Sequence, residues 1–457
     1  MADAIMSLVK NIVDTEFDNL PTEAVDAAKK SILDTLAVSV AGSTAAGCKE
    51  VVDLVKEYGG SKESTIWVYG GKVPASLAGL ANGPMARAWD FGDVHEKGGY
   101  HLGETIVPAT LPMAERQGNV TGRDFITAVA LGQDLMGRIG KCIASERMMP
   151  TGHAFRIFGA AAAVGKLLRL GEDEMTNAMG IAYSHMFVEK QGYKDGALTP
   201  RLQHGFVADG AIRSCLLAQK GVSGPTNILQ GEYGYFVTCE SARDIGALTY
   251  ELGKIFEGAQ VCLKPYACCQ FAHGAITATL ELLEEYNIRA EDVQQVHVGL
   301  SPKAYNFTCE PEEVKANPRN IIDAQFSAYY TVAVAVLERD VFIEHFTQEM
   351  IRCPEVRQTM KKVKPEIELE LKESDLAQGA VVTIKTTSGQ KYTRKVYYTK
   401  GHPKNPMTMD EVRAKFRRCV PFSARPLHMK NAERIIAMVR NLEEVSDVSE
   451  IAGLLVP

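Results

Sequence analysis

The chain has 457 residues, of which 46% are hydrophobic and 23% charged, and its formal net charge is −6. This length exceeds that of a usual single core, so the composition predicts a globular protein of two domains. The acidic balance argues against nucleic acid as the main partner, although a site can still be locally basic. No secretory signal and no apolar run of about 18 residues are apparent, so no membrane span is expected.

Ten cysteines are scattered among apolar residues, as at Cys48, Cys142 and Cys215. Without a secretory signal, such cysteines are expected to be free thiols in a reducing cytosol. Cys268 and Cys269 are adjacent, a spacing that differs from that of usual zinc ligand pairs. The sequence therefore predicts a cytoplasmic protein without a metal site.

Helical patterns dominate the first 260 or so residues. Apolar residues recur at helical spacing across 23–38 and 125–136, and Thr121 marks the start of the second stretch. Alanine and glycine occur on all sides of 158–168, which is typical of a helix packed closely by its neighbours. These patterns predict a large all-α domain.

The character of the sequence changes after Lys264. A predicted helix at 273–286 precedes 293–300, whose residues alternate as in a strand. The segments 380–386 and 392–398 flank a Ser-Gly-Gln turn and predict a β-hairpin.

Helical periodicity returns at 409–445, and this tail is expected to rejoin the first domain. The predicted fold is therefore mainly α. An all-α helical domain at 1–265 is completed by 403–457, and a smaller α+β lid domain spans 266–402.

The loop at 88–105 carries the most information about function. It places Asp90, Asp93, His95 and His101 in a glycine-broken stretch between two helical patterns. Loops on rigid scaffolds often bear catalytic groups, and an acid beside an imidazole suits proton transfer at neutral pH. The alternative is a surface turn in which Asp93 caps the next helix and His101 is a core histidine.

A second segment, 191–205, is predicted to join two helices as a loop. It carries Lys194, Arg201 and His204 among glycines. A basic loop suits recognition of carboxylates, because arginine can donate two parallel hydrogen bonds to one carboxylate. The alternative is a solvated connection.

A third segment, 263–273, lies at the predicted domain junction, where ligand sites are common. Lys264 precedes a proline, and partial burial would lower its pKa and make it a usable base or electrostatic clamp. The alternative is a linker whose lysine extends to solvent. His153 is an intermediate candidate, and the chain lacks the common nucleotide, serine-hydrolase and zinc-protease motifs.

These three loops, in this order, resemble those of the MmgE/PrpD family, which includes 2-methylcitrate dehydratase, cis-aconitate decarboxylase and iminodisuccinate epimerase. The resemblance extends over nearly the whole chain. The supporting motifs are Ile32-Leu-Asp-Thr-Leu-Ala, Asp90-Phe-Gly-Asp-Val-His, Thr151-Gly-His-Ala-Phe, Lys264-Pro-Tyr-Ala-Cys-Cys, Ala324-Gln-Phe-Ser and Gly401-His-Pro.

The resemblance implies a homodimer without metal or organic cofactor that acts on a small di- or tricarboxylate. The chemistry that it implies starts with a proton moved next to a carboxylate. The residues that the resemblance marks as catalytic are Asp93, His101, Lys264 and Tyr330. The candidates for substrate binding are Arg201, His204, Cys269, His273 and His153.

Three positions depart from the family pattern. Met149 stands where the decarboxylase branch has a histidine, Pro200 where many members have a lysine, and Cys269 where the decarboxylase has another histidine. Losing three ionisable groups from one site is expected to change the substrate or the reaction.

The leading hypothesis is a cofactor-independent lyase of dehydratase type. In this hypothesis His101, oriented by Asp93, removes the proton, and Tyr330 is the acid that assists the departing hydroxide. The alternatives are an epimerase of a dicarboxylate such as iminodisuccinate, a cis-aconitate-type decarboxylase, and a non-catalytic homologue that binds carboxylates.

Overall fold

The computed structural model divides the chain into two compact units. The first comprises 1–88, 92–262 and 408–457, and the second comprises 89–91 and 263–407. The residues that the structure describes are 3–96, 99–143, 154–186, 189, 191–239, 244–372 and 376–457.

The first unit is helical. Its helices up to residue 262 are α1 (Ala4–Asp14), α2 (Thr22–Gly42), α3 (Cys48–Tyr58), α4 (Ala75–Arg87), α5 (Gly103–Gln117), α6 (Gly122–Cys142), α7 (Arg156–Leu167), α8 (Glu172–Ser184), α9 (Gln191–Asp195), α10 (Thr199–Gln219) and α11 (Tyr235–Thr238). The short strands among its described residues, with Leu263 just beyond it, are β1 (Ser64–Thr65), β2 (Lys72–Val73), β3 (Asp93–His95) and β4 (Val261–Leu263).

The second unit combines helices with one sheet. Its helices are α12 (His273–Glu285), α13 (Pro302–Thr308), α14 (Glu312–Lys315), α15 (Ile321–Gln325), α16 (Ala328–Glu338), α17 (Gln348–Arg352) and α18 (Pro354–Met360). Its strands are β5 (Val293–Leu300), β6 (Val363–Ile367), β7 (Ala380–Thr386) and β8 (Lys391–Val396). The first unit is completed by α19 (Met409–Cys419), α20 (Met429–Arg440) and α21 (Ser449–Leu454).

The long helices follow the apolar patterns of the sequence. Thr121 accepts a hydrogen bond from the Asp124 backbone N–H and so caps α6. Helix α7 is buried along almost its entire length, which confirms the prediction of a helix surrounded by neighbours. The mainly α fold is therefore confirmed.

Helices α4 and α10 pack with their backbones in contact. A Cβ atom at Gly83 would lie 2.5 Å from the Gly205 nitrogen, and one at Gly205 would lie 2.4 Å from the Leu80 carbonyl oxygen. Only glycine fits at such positions, because any side chain would collide with backbone atoms. This close approach fixes α10, which carries two of the predicted site residues, against α4.

The sheet of the second unit has the strand order β6-β5-β7-β8. Strand β5 is parallel to β6 and antiparallel to β7, and β7 and β8 form the predicted hairpin. The sequence does not predict strand β6, because Pro365 interrupts the residue pattern that is typical of a strand. An edge strand tolerates proline, since one side of its backbone has no partner strand to pair with.

The segment 191–205 is largely helical, and this corrects the prediction of a loop. Residues Gln191–Asp195 form α9, and α10 begins at Thr199 with Pro200 in its first turn. Proline is favourable there because the first N–H groups of a helix have no intrahelical partner. Arg201 and His204 are therefore helical residues.

All ten cysteines are free thiols. Among the described residues, no helix has both the length and the apolar character needed to cross a membrane.

Candidate active site

Asp93 begins β3 and is buried in the first unit. Its carboxylate oxygen Oδ2 accepts a hydrogen bond of 2.7 Å from the Gly103 N–H, at the first residue of α5. A Cβ atom at Gly103 would lie only 2.3 Å from Ser31 Oγ, so the close packing requires glycine. Asp93 thus caps α5, which is the alternative that the sequence analysis gave for this residue. The N-terminal end of a helix favours a negative charge.

The environment of Asp93 perturbs its titration. Burial raises the pKa of this carboxyl to about 6, with a smaller contribution from the nearby Asp34 carboxylate and against the lowering effects of the Gly103 N–H and Lys415. Lys415 Nζ lies 2.7 Å from Asp34 Oδ1 in a buried ion pair. Asp93 therefore changes charge close to neutral pH, which is unusual for an aspartate.

His101 is buried next to Asp93 and is held by the backbone of that residue. Its Nδ1 lies 2.5 Å from the Asp93 carbonyl oxygen. A carbonyl oxygen can only accept, so Nδ1 carries the hydrogen and Nε2 of the neutral ring has the lone pair. Asp93 orients His101 as the sequence suggested, but it does so through its carbonyl group, while its carboxylate binds α5.

Glu104 is a buried acid that the sequence analysis did not single out. Its Oε2 lies 3.6 Å from His101 Nδ1 and 3.7 Å from Arg87 Nε. Its Oε1 accepts a hydrogen bond of 3.0 Å from the Gly92 N–H. The position three residues after His101, in the first turn of α5, is the sequence signal that could have identified it.

His204 lies near His101 and has no exposed surface. Its Nε2 is 2.7 Å from an Arg156 nitrogen, which can only donate, so Nδ1 of His204 carries the hydrogen. That Nδ1 lies 3.3 Å from both the Glu104 carbonyl oxygen and Thr105 Oγ1. The two histidine rings are 6.2 Å apart. His204 is therefore a neutral buried residue that connects α5, α7 and α10.

Arg201 lies on α10, three residues before His204. Its guanidinium donates a hydrogen bond of 2.8 Å to the Ala46 carbonyl oxygen. Burial lowers its pKa, and the like charge of Arg87 contributes to the same direction. Arg201 is thus close enough to Arg87 for their charges to interact, and the two form a basic region in the first unit.

Lys264 forms a buried ion pair with Asp90 in the second unit. Its Nζ donates to both the Asp90 carbonyl oxygen and Asp90 Oδ2, each at 2.8 Å. Asp90 adopts a left-handed backbone conformation with φ of 49°, and the Gln325 amide donates to the carbonyl oxygen of neighbouring Trp89 at 2.7 Å. Lys264 and Gln325 thus tie the segment 89–91 to this unit.

Two further candidates, Cys269 and His273, are buried in the second unit. Burial raises the pKa of the Cys269 thiol to about 11, so the thiol is neutral at pH 7. His273 Nε2 lies 3.2 Å from the Cys268 carbonyl oxygen, and the ring packs edge-on against Tyr266. These contacts of His273 are of the kind that stabilise the fold.

Tyr330 is also fully buried in the second unit. Its hydroxyl donates to the His345 carbonyl oxygen at 2.5 Å, and burial raises its pKa far above the usual range. This placement makes Tyr330 unsuited to the acid role that the resemblance implied. His153 and Met149 lie outside the described residues.

Within the first unit, the structure brings Asp93, His101 and His204 together. Within the second, Lys264 and Cys269 are close enough to interact electrostatically. Across the part of the chain that the structure describes, no group of three or more histidine, cysteine, aspartate or glutamate residues could hold a metal ion.

Family models match both parts of the chain. The MmgE/PrpD N-terminal domain matches residues 6–247, and the MmgE/PrpD C-terminal domain matches residues 266–444. The chain belongs to the MmgE/PrpD family. The resemblance drawn from the three loops is therefore confirmed.

Several curated members of the family align with nearly the whole chain. A cis-aconitate decarboxylase of Aspergillus terreus is 26% identical over 463 residues, covering 96% of this chain and 93% of that protein. The cis-aconitate decarboxylase of Mus musculus is 23% identical, covering 93% of this chain and 88% of its own length. That of Homo sapiens is also 23% identical, with coverages of 96% and 91%.

Proposed function

We propose that this protein is a lyase that acts on a small di- or tricarboxylate by removing a proton next to a carboxylate. The observation that carries the proposal is the hydrogen bond from His101 Nδ1 to the Asp93 carbonyl oxygen, which leaves Nε2 as the proton-accepting atom. Membership of a family whose relatives here are named cis-aconitate decarboxylases supports this class of substrate.

Dehydration is the reaction that we favour. His101 Nε2 would take the proton from the carbon next to a carboxylate, and the C–H electron pair would form a carbanion with enolate character. The cationic groups Arg201 and Lys264 would neutralise the substrate carboxylates in this proposal. The carbanion electrons then form the double bond as the C–O bond breaks.

The departing hydroxide needs a proton. The imidazolium of His101 can supply the one that it has just removed, so that water leaves and His101 returns to its neutral form. The sequence analysis gave the acid role to Tyr330. We omit Tyr330 from the mechanism because it is fully buried and its hydroxyl group donates a hydrogen bond to a backbone carbonyl oxygen.

Decarboxylation is the second candidate, because the relatives described above carry the name of that activity. In that reaction a C–C bond breaks, carbon dioxide leaves, and the imidazolium of His101 would protonate the resulting carbanion. Pro200 and Cys269 argue against cis-aconitate itself as the substrate, because each stands where an ionisable group is expected. Epimerisation would share the first step but would require a second proton donor on the opposite face.

Proton NMR in deuterated water separates these reactions. The substrate panel is citrate, 2-methylcitrate, cis- and trans-aconitate, and iminodisuccinate. Dehydration produces an alkene without carbon dioxide, seen as a vinyl signal from citrate or as a methyl doublet that becomes a singlet from 2-methylcitrate. Decarboxylation releases carbon dioxide and adds one deuterium, and epimerisation exchanges the α-hydrogen without elimination. A ligand that raises the melting temperature but undergoes none of these changes would support a non-catalytic binding protein and overturn the proposal.

We also propose a homodimer, as the family resemblance implies. Sedimentation equilibrium is expected to give twice the chain mass of 49.9 kDa. A mass equal to one chain at micromolar concentration would contradict this proposal.

A further inference from the structure

We infer that Glu104 is a positioning residue for His101, whose buried negative charge stabilises the imidazolium that forms when Nε2 takes a proton. This inference rests on the proposed role of His101 as the base. Glu104 lies in the first turn of α5, the helix that follows His101 in the chain.

The geometry separates the roles of two acceptors near His101 Nδ1. The Asp93 carbonyl oxygen at 2.5 Å takes the hydrogen bond, whereas Glu104 Oε2 at 3.6 Å is too distant for one. The carbonyl group therefore fixes the tautomer, and Glu104 acts through its charge. Such an interaction is strong because Glu104 has no exposed surface and water does not screen it.

Three features of the structure compensate a negative charge on Glu104. A buried carboxylate is costly unless it is paired and hydrogen-bonded. The Gly92 N–H donates to Oε1, Arg87 Nε lies 3.7 Å from Oε2, and the position in the first turn of α5 is favourable for an anion.

Gly92 has a specific part in this arrangement. A Cβ atom at residue 92 would lie 2.2 Å from Glu104 Oε1, so a glycine is needed for the carboxylate to reach this backbone. The loop before β3 is thus shaped around Glu104.

The charges around His101 explain why an acid is needed. Two cations lie near the ring, each one residue away from it. Arg87 on α4 pairs with Glu104, and Arg156 on α7 contacts His204 on α10, whose ring is 6.2 Å from that of His101. The N-terminus of α5 adds a positive dipole end. Asp93 is the other acid at the ring, and it is itself close to Asp34 on α2 and Lys415 on α19. A protonated His101 would add one more positive charge to this group, and Glu104 balances it.

The test uses Glu104→Gln, which keeps the size of the side chain and an oxygen for the Gly92 N–H but removes the charge. Histidine labelled with ¹⁵N is followed by NMR as a function of pH, and the His101 signal is assigned by its loss in His101→Gln. We expect the neutral ring to be the Nδ1–H tautomer in both proteins. We expect the midpoint of the His101 titration to fall by at least about one pH unit in Glu104→Gln, a tenfold change in the protonation equilibrium.

A matched control lies on the same helix. The side chain of Glu115 is 5% exposed and pairs with Lys72 Nζ at 2.8 Å, away from His101. Glu115→Gln removes a paired negative charge from α5 and is expected to lower stability, but it should leave the His101 titration unchanged.

On an identified substrate, Glu104→Gln is expected to lower kcat about tenfold with little change in KM, because the positioning charge acts on the base. The acid limb of the pH profile should move with the NMR midpoint. The titration needs no substrate, so a shifted midpoint without any turnover would leave this inference intact and remove the proposed function. A folded Glu104→Gln protein with an unchanged midpoint would overturn the inference.

A second variant covers the case in which Glu104→Gln does not fold. Glu104→Asp keeps the charge but withdraws it from the ring, so a smaller downward shift of the His101 midpoint is expected. An unchanged midpoint in Glu104→Asp would count against the inference in the same way.

Discussion

The charge of Asp93 is one residue-scale feature that links folding to pH. Burial gives its carboxyl a folded-state pKa of about 6, above the ordinary value of 3.8. The folded state therefore binds this proton more tightly than the unfolded state does. Asp93 lowers stability at pH values above about 6, and this cost disappears as the pH falls towards 4.

Asp93→Asn should remove this pH dependence, because asparagine keeps an acceptor for the Gly103 N–H without the charge. The free energy of unfolding of the variant, minus that of the wild type, is expected to rise by up to about 3 kcal/mol between pH 4 and pH 7, at 1.36 kcal/mol per pKa unit. Urea unfolding at a series of pH values measures this difference. A difference that stays constant over this range would contradict the raised pKa of the buried Asp93 carboxyl.

The ion pair between Lys264 and Asp90 changes how a lysine variant must be interpreted. Lys264→Met would leave Asp90 buried without its partner, at a cost of about 3–5 kcal/mol in folding free energy. The double variant Lys264→Met/Asp90→Asn should recover much of this stability, since neither residue then carries a charge.

Binding to the double variant isolates the role of Lys264 in recognition. If Lys264 neutralises a substrate carboxylate, the stable double variant should still bind the polycarboxylate much more weakly than the wild type does. Isothermal titration calorimetry measures this affinity. Affinity equal to that of the wild type would mean that Lys264 serves only to hold the segment 89–91.

At the scale of elements, the contact between α4 and α10 holds Arg87 and His204 in place. Gly205→Ala is expected to destabilise the protein by about 1–3 kcal/mol, because the new Cβ would lie 2.4 Å from the Leu80 carbonyl oxygen. Gly453→Ala on α21 is the matched control, since no atom lies within 4 Å of its Cβ position. That substitution should be neutral or stabilising by up to about 1 kcal/mol. Equal effects of the two substitutions on urea unfolding would contradict the close packing.

Elements with strong periodicity were predictable, and those that depend on context were not. Helix α6 and strand β5 follow their apolar patterns, so local spacing identified them. The segment 191–205 was interpreted as a loop because it carries basic residues among glycines, although Pro200 suits the first turn of a helix. Edge strand β6 contains Pro365 and charged residues, so its sequence lacks the pattern of a strand.

The candidate site was predictable only in part. His101 and Asp93 were found because a loop concentrates acids and histidines between helical patterns. The choice of the Asp93 carbonyl group over its carboxylate depends on the turn between β3 and α5, which residue identities do not reveal. Glu104 lies at the end of the loop at 88–105 but was not singled out, and Arg87 was missed because it lies in the preceding helical pattern, where charged residues are usually solvated.

At the scale of the whole molecule, the short segment Trp89–Phe91 departs from the order of the chain. These three residues belong to the second unit although both flanking segments belong to the first. The contact that holds them joins Asp90 to Lys264, which lies 174 residues away. A pairing at this distance leaves no local signal in the sequence.

The central claim is that His101 removes a proton from a carbon next to a carboxylate. The most direct test compares wild type with His101→Ala in deuterated water, using proton NMR and the polycarboxylate panel, with His428→Ala as a control at an exposed histidine. We expect wild type and His428→Ala to convert one member of the panel at similar rates, and His101→Ala to be slower by about 10²–10⁴-fold while remaining folded. Conversion by His101→Ala at the wild-type rate would contradict the account.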